Sequence, residues 1–185
     1  MSLAGKLLVS LPTIKQGVFA KSVVFIHSVD EDGSVGFILN RRYPPSKAHF
    51  ICEQLKLPDP KKIFFGGPVG TQSGFVLHSD DYHNKETVQL SEQVLFTPGK
   101  AVIKDMQDPN KCPSEYMVIL GHSSWAPFQL NAEMTGQPPF EHPQWVTADI
   151  DHEYFYGQLD AIQAWDKALR RTAKERSNFL LDFDQ

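Results

Sequence analysis

The chain has 185 residues, 41% of them hydrophobic and 22% charged, and its 18 basic and 22 acidic side chains leave a net charge of -4. That balance excludes wholesale disorder, which needs few apolar groups and a high net charge, and it disfavours a surface that grips many phosphates. The longest apolar runs, such as residues 23–26, are far short of the roughly 20 residues that a bilayer span requires. The length fits one domain over residues 1–185. No charged segment followed by an apolar core opens the chain, so a cytoplasmic protein is expected. Cys52 and Cys112 are then expected as reduced thiols.

Residues 6–11 predict a first strand, stopped by Pro12. Residues 22–29 and 34–40 predict two more, joined through Asp30-Glu31-Asp32-Gly33. Asp and Gly tolerate the tight-turn backbone, so these two strands read as a hairpin. A helix is expected over residues 47–56, ended by Pro58 and Pro60, with Phe50, Ile51 and Leu55 on one face. Short strands follow at residues 63–65, 73–79, 87–90 and 93–97. Thr97-Pro98 reads as the start of a helix to about residue 107, with Thr as cap and Pro in the first turn. An apolar strand is expected over residues 115–120, then a turn at Gly121-His122-Ser123-Ser124. A helix from Trp125 to Met134, capped by Ser124, should follow. Residues 145–150 predict a last strand. Residues 160–174 predict the best helix, with Ile162, Trp165, Leu169 and Ala173 along one side. Hairpins dominate the first half and βα alternation is irregular. The expected class is α+β: a mixed, mainly antiparallel sheet with helices packed on it.

Several segments carry residues able to do chemistry. Strand, Gly121-His122-Ser123-Ser124-Trp125, helix is the setting of a nucleophile elbow, but Trp125 stands where that pattern needs glycine. A hydrolase would need Ser123 activated by His78 or His122; otherwise these serines cap and pack the turn. Trp125, Gln129 and Glu133 stand at i, i+4 and i+8, a stripe that lines a pocket or anchors a half-exposed helix. Gly66-Gly67-Pro68 is an anion nest or a tight turn, and it matches neither common phosphate-loop pattern. Arg41 and Arg42 offer bidentate anion recognition or plain solvated charge, and Asn40 a bond to its own turn. His78, Asp80, Asp81 and His83 crowd one segment without metal-ligand spacing, and no cofactor motif is present. Lys167, Arg170, Arg171, Lys174 and Arg176 form a basic cluster near the end of the chain. It reads as a solvated helix face, with a weak nucleic-acid patch as the alternative.

The ordered set of these motifs resembles the AlgH/YqgE family. Gly5-Lys6-Leu7-Leu8-Val9-Ser10, Phe19, Ser22-Val23-Val24 and Gly36-Phe37-Ile38-Leu39-Asn40-Arg41 match its opening. Gly66-Gly67-Pro68-Val69 and Gly74-Phe75-Val76-Leu77-His78 match its middle. Gly121-His122-Ser123-Ser124-Trp125-Ala126-Pro127, Gln129-Leu130, Glu133 and Trp145 match its C-terminal signature. The resemblance implies a bacterial α+β protein whose sheet curls partly into a barrel. It implies no reaction: the family is largely uncharacterised, and some members carry the label of transcriptional regulator. It also marks departures, with Phe128 where relatives read glycine, Asn131 where they read an acid, and Ser123 where many read alanine.

The resulting expectation is a non-enzymatic binding or regulatory protein that takes a protein partner or a small ligand. Its surface would be built by Asn40, Arg41, Gly66, Gly67, Pro68, His78, Gly121, Ser123, Trp125, Gln129 and Glu133, since loops gathered at strand ends carry function.

Overall fold

A computed structural model describes residues 3–90, 94–150, 152–156 and 158–182. Among them are strands β1 (Leu7–Ser10), β2 (Val23–Asp30), β3 (Gly33–Ile38), β4 (Ile63–Phe65) and β5 (Val69–His78). The remaining strands are β6 (Val88–Gln89), β7 (Leu95–Pro98), β8 (Tyr116–Trp125) and β9 (Trp145–Ala148). The helices are α1 (Pro45–Leu55), α2 (Gly99–Val102), α3 (Gln129–Thr135) and α4 (Ala161–Asp182). The sheet runs β6-β7-β5-β8-β3-β2-β1-β9, and β4 lies parallel against β8. The fold is therefore α+β with a mainly antiparallel sheet, as the pattern of elements predicts, and the sheet is curled, as the family resemblance implies.

Side-chain alternation explains the layering. Leu7, Val9, Phe25, Phe37, Leu77, Phe96, Met117 and Ile119 point into one shared interior. That interior is closed by Phe155, Ala164 and Ala168, the last two from α4. The opposite face of β1, β2 and β3 presents Leu8, Val24, Ile26 and Ile38 to Leu130 of α3 and to Trp125 and Trp145. The opposite face of β4, β5 and β8 presents Ile63, Val76 and Val118 to Ala48 and Cys52 of α1 and to Val102 of α2. One core thus lies inside the curl and two separate clusters lie outside it. β1 is buried along its whole length because it is sandwiched on both faces and paired on both edges.

β8 is the spine. Its first half pairs with β5 (His78↔Tyr116, Gly74↔Leu120) and with β4 (Phe64↔Ile119). Its second half pairs with β3 (Gly36↔Ser123, Ser34↔Trp125). This corrects the expected turn at residues 121–124. The strand continues to Trp125, with Ser123 and Trp125 buried and Ser124 exposed between them. Gly121 is a swivel in it, at φ 74. Ser124 does not cap α3: the helix starts several residues later, and its N-cap is Phe128, without a side-chain cap bond.

Two further expectations shift. Thr97 does not cap a helix; it is buried in β7, and the expected 98–107 helix divides into α2 and a 3-10 turn at Asp105–Gln107. On α4 the buried positions include Ala164, Ala168 and Thr172, while Ile162 is 59% exposed. The small alanines let the helix lie close on the sheet, which rotates the buried face away from Ile162. The hairpin β2–β3 and β4 stand where the sequence puts them. Of the expected 93–97 strand, Gln93 lies outside the described residues.

Candidate functional site

The glycines expected to cradle a ligand cradle backbone instead. The segment after β4 crosses β8: Gly66 N–H donates to Leu120 O at 2.9 Å, and Ile38 N–H donates to Gly66 O at 2.9 Å. A Cβ on Gly67 would stand 2.2 Å from the carbonyl oxygen of His122, and one on Gly121 2.4 Å from that of Gly67. Only glycine permits this approach, and Gly67 (φ 152) and Gly121 (φ 74) also sit where side chains are strained. The Gly66 N–H is spent inside the sheet and is not available to an anion.

Ser123 is fully buried, and its hydroxyl donates to Gly66 O at 3.2 Å. His122 is its neighbour on a strand, so the two side chains leave opposite faces. His78 pairs with Tyr116, seven residues along β8 from Ser123, which is roughly 20 Å of strand. Neither histidine is therefore paired with Ser123. His78 is itself buried, with Nδ1 against Ser79 O at 2.8 Å and Nε2 against Thr97 Oγ1 at 2.8 Å. A carbonyl can only accept, so Nδ1 carries the proton and Nε2 accepts from Thr97. Thr97 Oγ1 in turn lies 2.9 Å from Thr87 Oγ1, which accepts from Asn84 N–H. Burial lowers the pKa of His78, the bond to Ser79 opposes this, His83 lowers it further and Asp81 raises it.

Asn40 and Arg41 are fastened as well. Asn40 Oδ1 accepts from Val23 N–H at 2.9 Å, and Nδ2 donates to Lys21 O at 2.9 Å and to Ala161 O at 2.7 Å. It therefore ties β2 to the first residue of α4. The Arg41 guanidinium donates to Ala20 O at 2.7 Å, and the Arg42 guanidinium lies 5.3 Å from the centre of the Phe64 ring.

Trp125 is not on the helix as expected but at the end of β8; Gln129 and Glu133 share a face of α3, and the three meet in a cluster closed on itself. Glu133 Oε2 accepts from the indole N–H of Trp125 at 3.1 Å and of Trp145 at 2.6 Å. Its Oε1 accepts from Gln129 Nε2 at 2.9 Å, and Gln129 Oε1 accepts from Ala126 N–H at 3.0 Å. Phe19 stacks on Trp125 and meets Trp145 edge-on, with ring centres at 5.8 and 5.5 Å. Charge-assisted bonds of this kind are the strong ones, and here they pin α3 to β8 and β9.

The remaining clusters do not converge on a centre. Among the described residues no three His, Cys, Asp or Glu side chains are placed to hold a metal, His78, Asp80, Asp81 and His83 included. Lys167 pairs with Glu153, and Arg170 Nε with Asp166 Oδ2 at 2.7 Å, so the basic helix face is partly neutralised. The Arg176 side chain lies outside the described residues. Cys52 and Cys112 are free thiols, and burial pushes both thiol pKa values up, away from a reactive thiolate. No helix among the described residues is long and apolar enough to cross a membrane.

Several open concavities line the surface, among them one of about 630 Å³ beside Pro12 and Phe140 and one of about 530 Å³ beside Phe128, Leu130 and Asn131 at α3. Between α1, α2 and β5 is a cavity of about 560 Å³ over Leu55, Phe75, Ile103 and Leu120, with Lys100 and Lys104 on its wall. A second cavity of about 270 Å³ continues it along α1 past Phe50 and Lys47, sharing Leu55, Gln72 and Leu120. Together they form one trough. Its third side is the bulged start of β5: Val69 pairs with His122 and Gly74 with Leu120, so among the described residues positions 70–73 have no ladder partner there. These residues are exposed.

Three comparisons place the chain. The AlgH-like family profile matches residues 7–177. The chain belongs to the AlgH-like family. A UPF0301 protein of Ruegeria pomeroyi is 34% identical over 92% of this chain and 91% of its own length. One from Rhizobium meliloti is 32% identical over 90% of this chain and 85% of its own length. The solution structure of the AlgH protein from Pseudomonas aeruginosa superposes with a TM-score of 0.68 at 22% identity, covering 92% of this chain and 88% of that one. The crystal structure of a Corynebacterium diphtheriae protein superposes at 0.70 and 22% identity, covering 92% and 87%.

Within this AlgH-like chain, Phe128 takes φ 65, a backbone that favours glycine and strains a bulky residue. That is a physical reason for the glycine the resemblance implies there. Sequence reading missed the trough because its walls come from three separated segments, residues 45–55, 69–75 and 98–107, and only Val69, Gly74 and Phe75 among them belong to a recognised motif. The one available signal was Phe50, a large apolar residue beside the buried face of α1, which is 60% exposed.

Proposed function

We propose that this protein is a non-enzymatic binding protein of regulatory type that engages its ligand through the trough between α1, α2 and β5. One contrast carries the reading. Ser123, Trp125, Gln129 and Glu133 of the family signature bond to one another or to backbone, whereas Gln72, Ser73, Lys100 and Lys104 surround an open apolar floor. Apolar concavities with a few polar groups at the rim are the usual ligand sites. A hydrolase gains no support from a buried Ser123 whose hydroxyl is donated to a carbonyl far from His78.

Fragment screening by amide NMR on the full chain tests the proposal. Saturable shifts should cluster at Gln72, Ser73, Lys100 and Lys104. Saturable shifts confined to Ser123 and His122, or fluorophosphonate labelling that Ser123→Ala abolishes, would contradict it.

A further inference from the structure

We propose that the trough takes an acidic, extended peptide segment of a partner protein, anchored by one apolar side chain. The inference rests on the trough being the binding face, and it names the class of occupant.

Charge gives the first argument. Lys100 and Lys104 stand four residues apart on one wall, and neither has an ion pair among the described residues. Lys47, on the continuation of the trough, lies 4.7 Å over the Tyr43 ring rather than on an acid. Glu86 is the one carboxylate among the described residues that line the larger cavity. A rim of this sign favours an acidic occupant and disfavours a basic one.

Shape and backbone give the second. The two cavities share residues and run end to end, which suits a chain segment better than a compact metabolite. β7 accompanies β5 only from Phe75↔Pro98 to His78↔Leu95. It then leaves at Gly99, where a Cβ would stand 2.6 Å from Gly74 O. Beyond that point residues 70–73 have no ladder partner among the described residues, and Thr71, Gln72 and Ser73 line the trough. An unpaired strand segment is a template for an incoming extended chain, with main-chain bonds giving affinity and pockets reading side chains. The cavity over Phe75, Ile103 and Leu120 would take the anchor.

The test is selection of phage-displayed random twelve-residue peptides on the immobilised full chain, followed by fluorescein-labelled synthesis of the winning sequences. Parallel binding uses Lys100→Glu/Lys104→Glu and Ser73→Trp, which alter positions on the trough wall and should leave melting unchanged. The expected winners carry an apolar residue flanked by Asp or Glu. They should lose about tenfold or more in affinity with the double lysine variant and bind the Ser73→Trp variant weakly. Trough binders without acidic bias, blocked by Ser73→Trp but indifferent to the lysines, would overturn this inference and leave the binding face standing. Winners unaffected by either variant would overturn both. Absence of any enrichment, or self-association of the chain that the double lysine variant abolishes, would also overturn it.

Discussion

The two outer faces of the sheet use their residues in opposite ways. On the α3 face, the polar residues of the signature cluster are engaged internally, although a cavity opens beside Phe128 and Asn131. Glu133 gathers two indoles and Gln129, and the Gly66–Gly67 crossing lets two backbones touch. On the α1–α2 face, the walls are built mostly from residues that no motif marks, and Gln72, Ser73, Lys100 and Lys104 have no side-chain partner among the described residues, whereas Gln107 donates to Leu55 O. The contrast teaches that a family signature can be a record of a difficult fold rather than of a reaction. A strand that swivels at Gly121 and is crossed by another segment has few sequence solutions. A shallow apolar trough has many.

Substitution can break the contrast, and the largest effect is expected at the crossing. Gly67→Ala forces a Cβ into the His122 carbonyl and should destabilise by about 4 kcal/mol or prevent folding, read as lost soluble yield or a lowered urea midpoint. Glu133→Leu comes next. It strands two indole N–H groups inside the cluster and should cost about 3 kcal/mol, with a change in tryptophan emission marking the site.

The third prediction concerns pH. Burial holds His78 neutral, with a folded pKa below its ordinary 6.5, so the unfolded chain takes up the proton first. Stability from this site is present above about pH 6.5 and falls as pH drops towards the folded pKa. Urea midpoints measured from pH 7 downward should decline, and His78→Gln should flatten that decline. Phe128→Gly should act in the other direction. Phe128 is 87% exposed at φ 65, so its removal relieves strain at little packing cost and should stabilise by about 1 kcal/mol in the same assay. The smallest effect is expected in the trough: Lys100→Glu/Lys104→Glu should leave the midpoint within about 0.5 kcal/mol of the parent.

Much of the fold was legible because it is local. The alternation of residues 22–40 around an Asp-Gly turn predicts a hairpin, and the hairpin forms as Phe25↔Phe37 and Asp30↔Gly33. The apolar run at β4 and the helix propensity of α1 and α4 are equally direct. β8 was not legible past Leu120, because Gly-His-Ser-Ser has turn composition and its strand state is fixed by β3, far upstream. The burial of Thr97 was hidden for a related reason: its cap chemistry is local, while the His78 imidazole that claims its hydroxyl belongs to a neighbouring strand. At the site, the shared face of Gln129 and Glu133 was readable from helical spacing, whereas Trp125 reaches them from the end of β8. The closure of the cluster was not readable, because Trp145 enters from β9. Spacing shows which side chains share a face, but not whether another element has already satisfied them.

The division between a structural signature and a free trough is the central claim, and a saturation substitution scan read by folded abundance tests it most directly. The account predicts that changes at Asn40, Gly67, Gly121 and Glu133 deplete the folded protein, while changes at Gln72, Ser73, Lys100 and Lys104 leave it near the parent level. Parent-level abundance for most substitutions at the signature positions, with depletion at the trough positions, would contradict it.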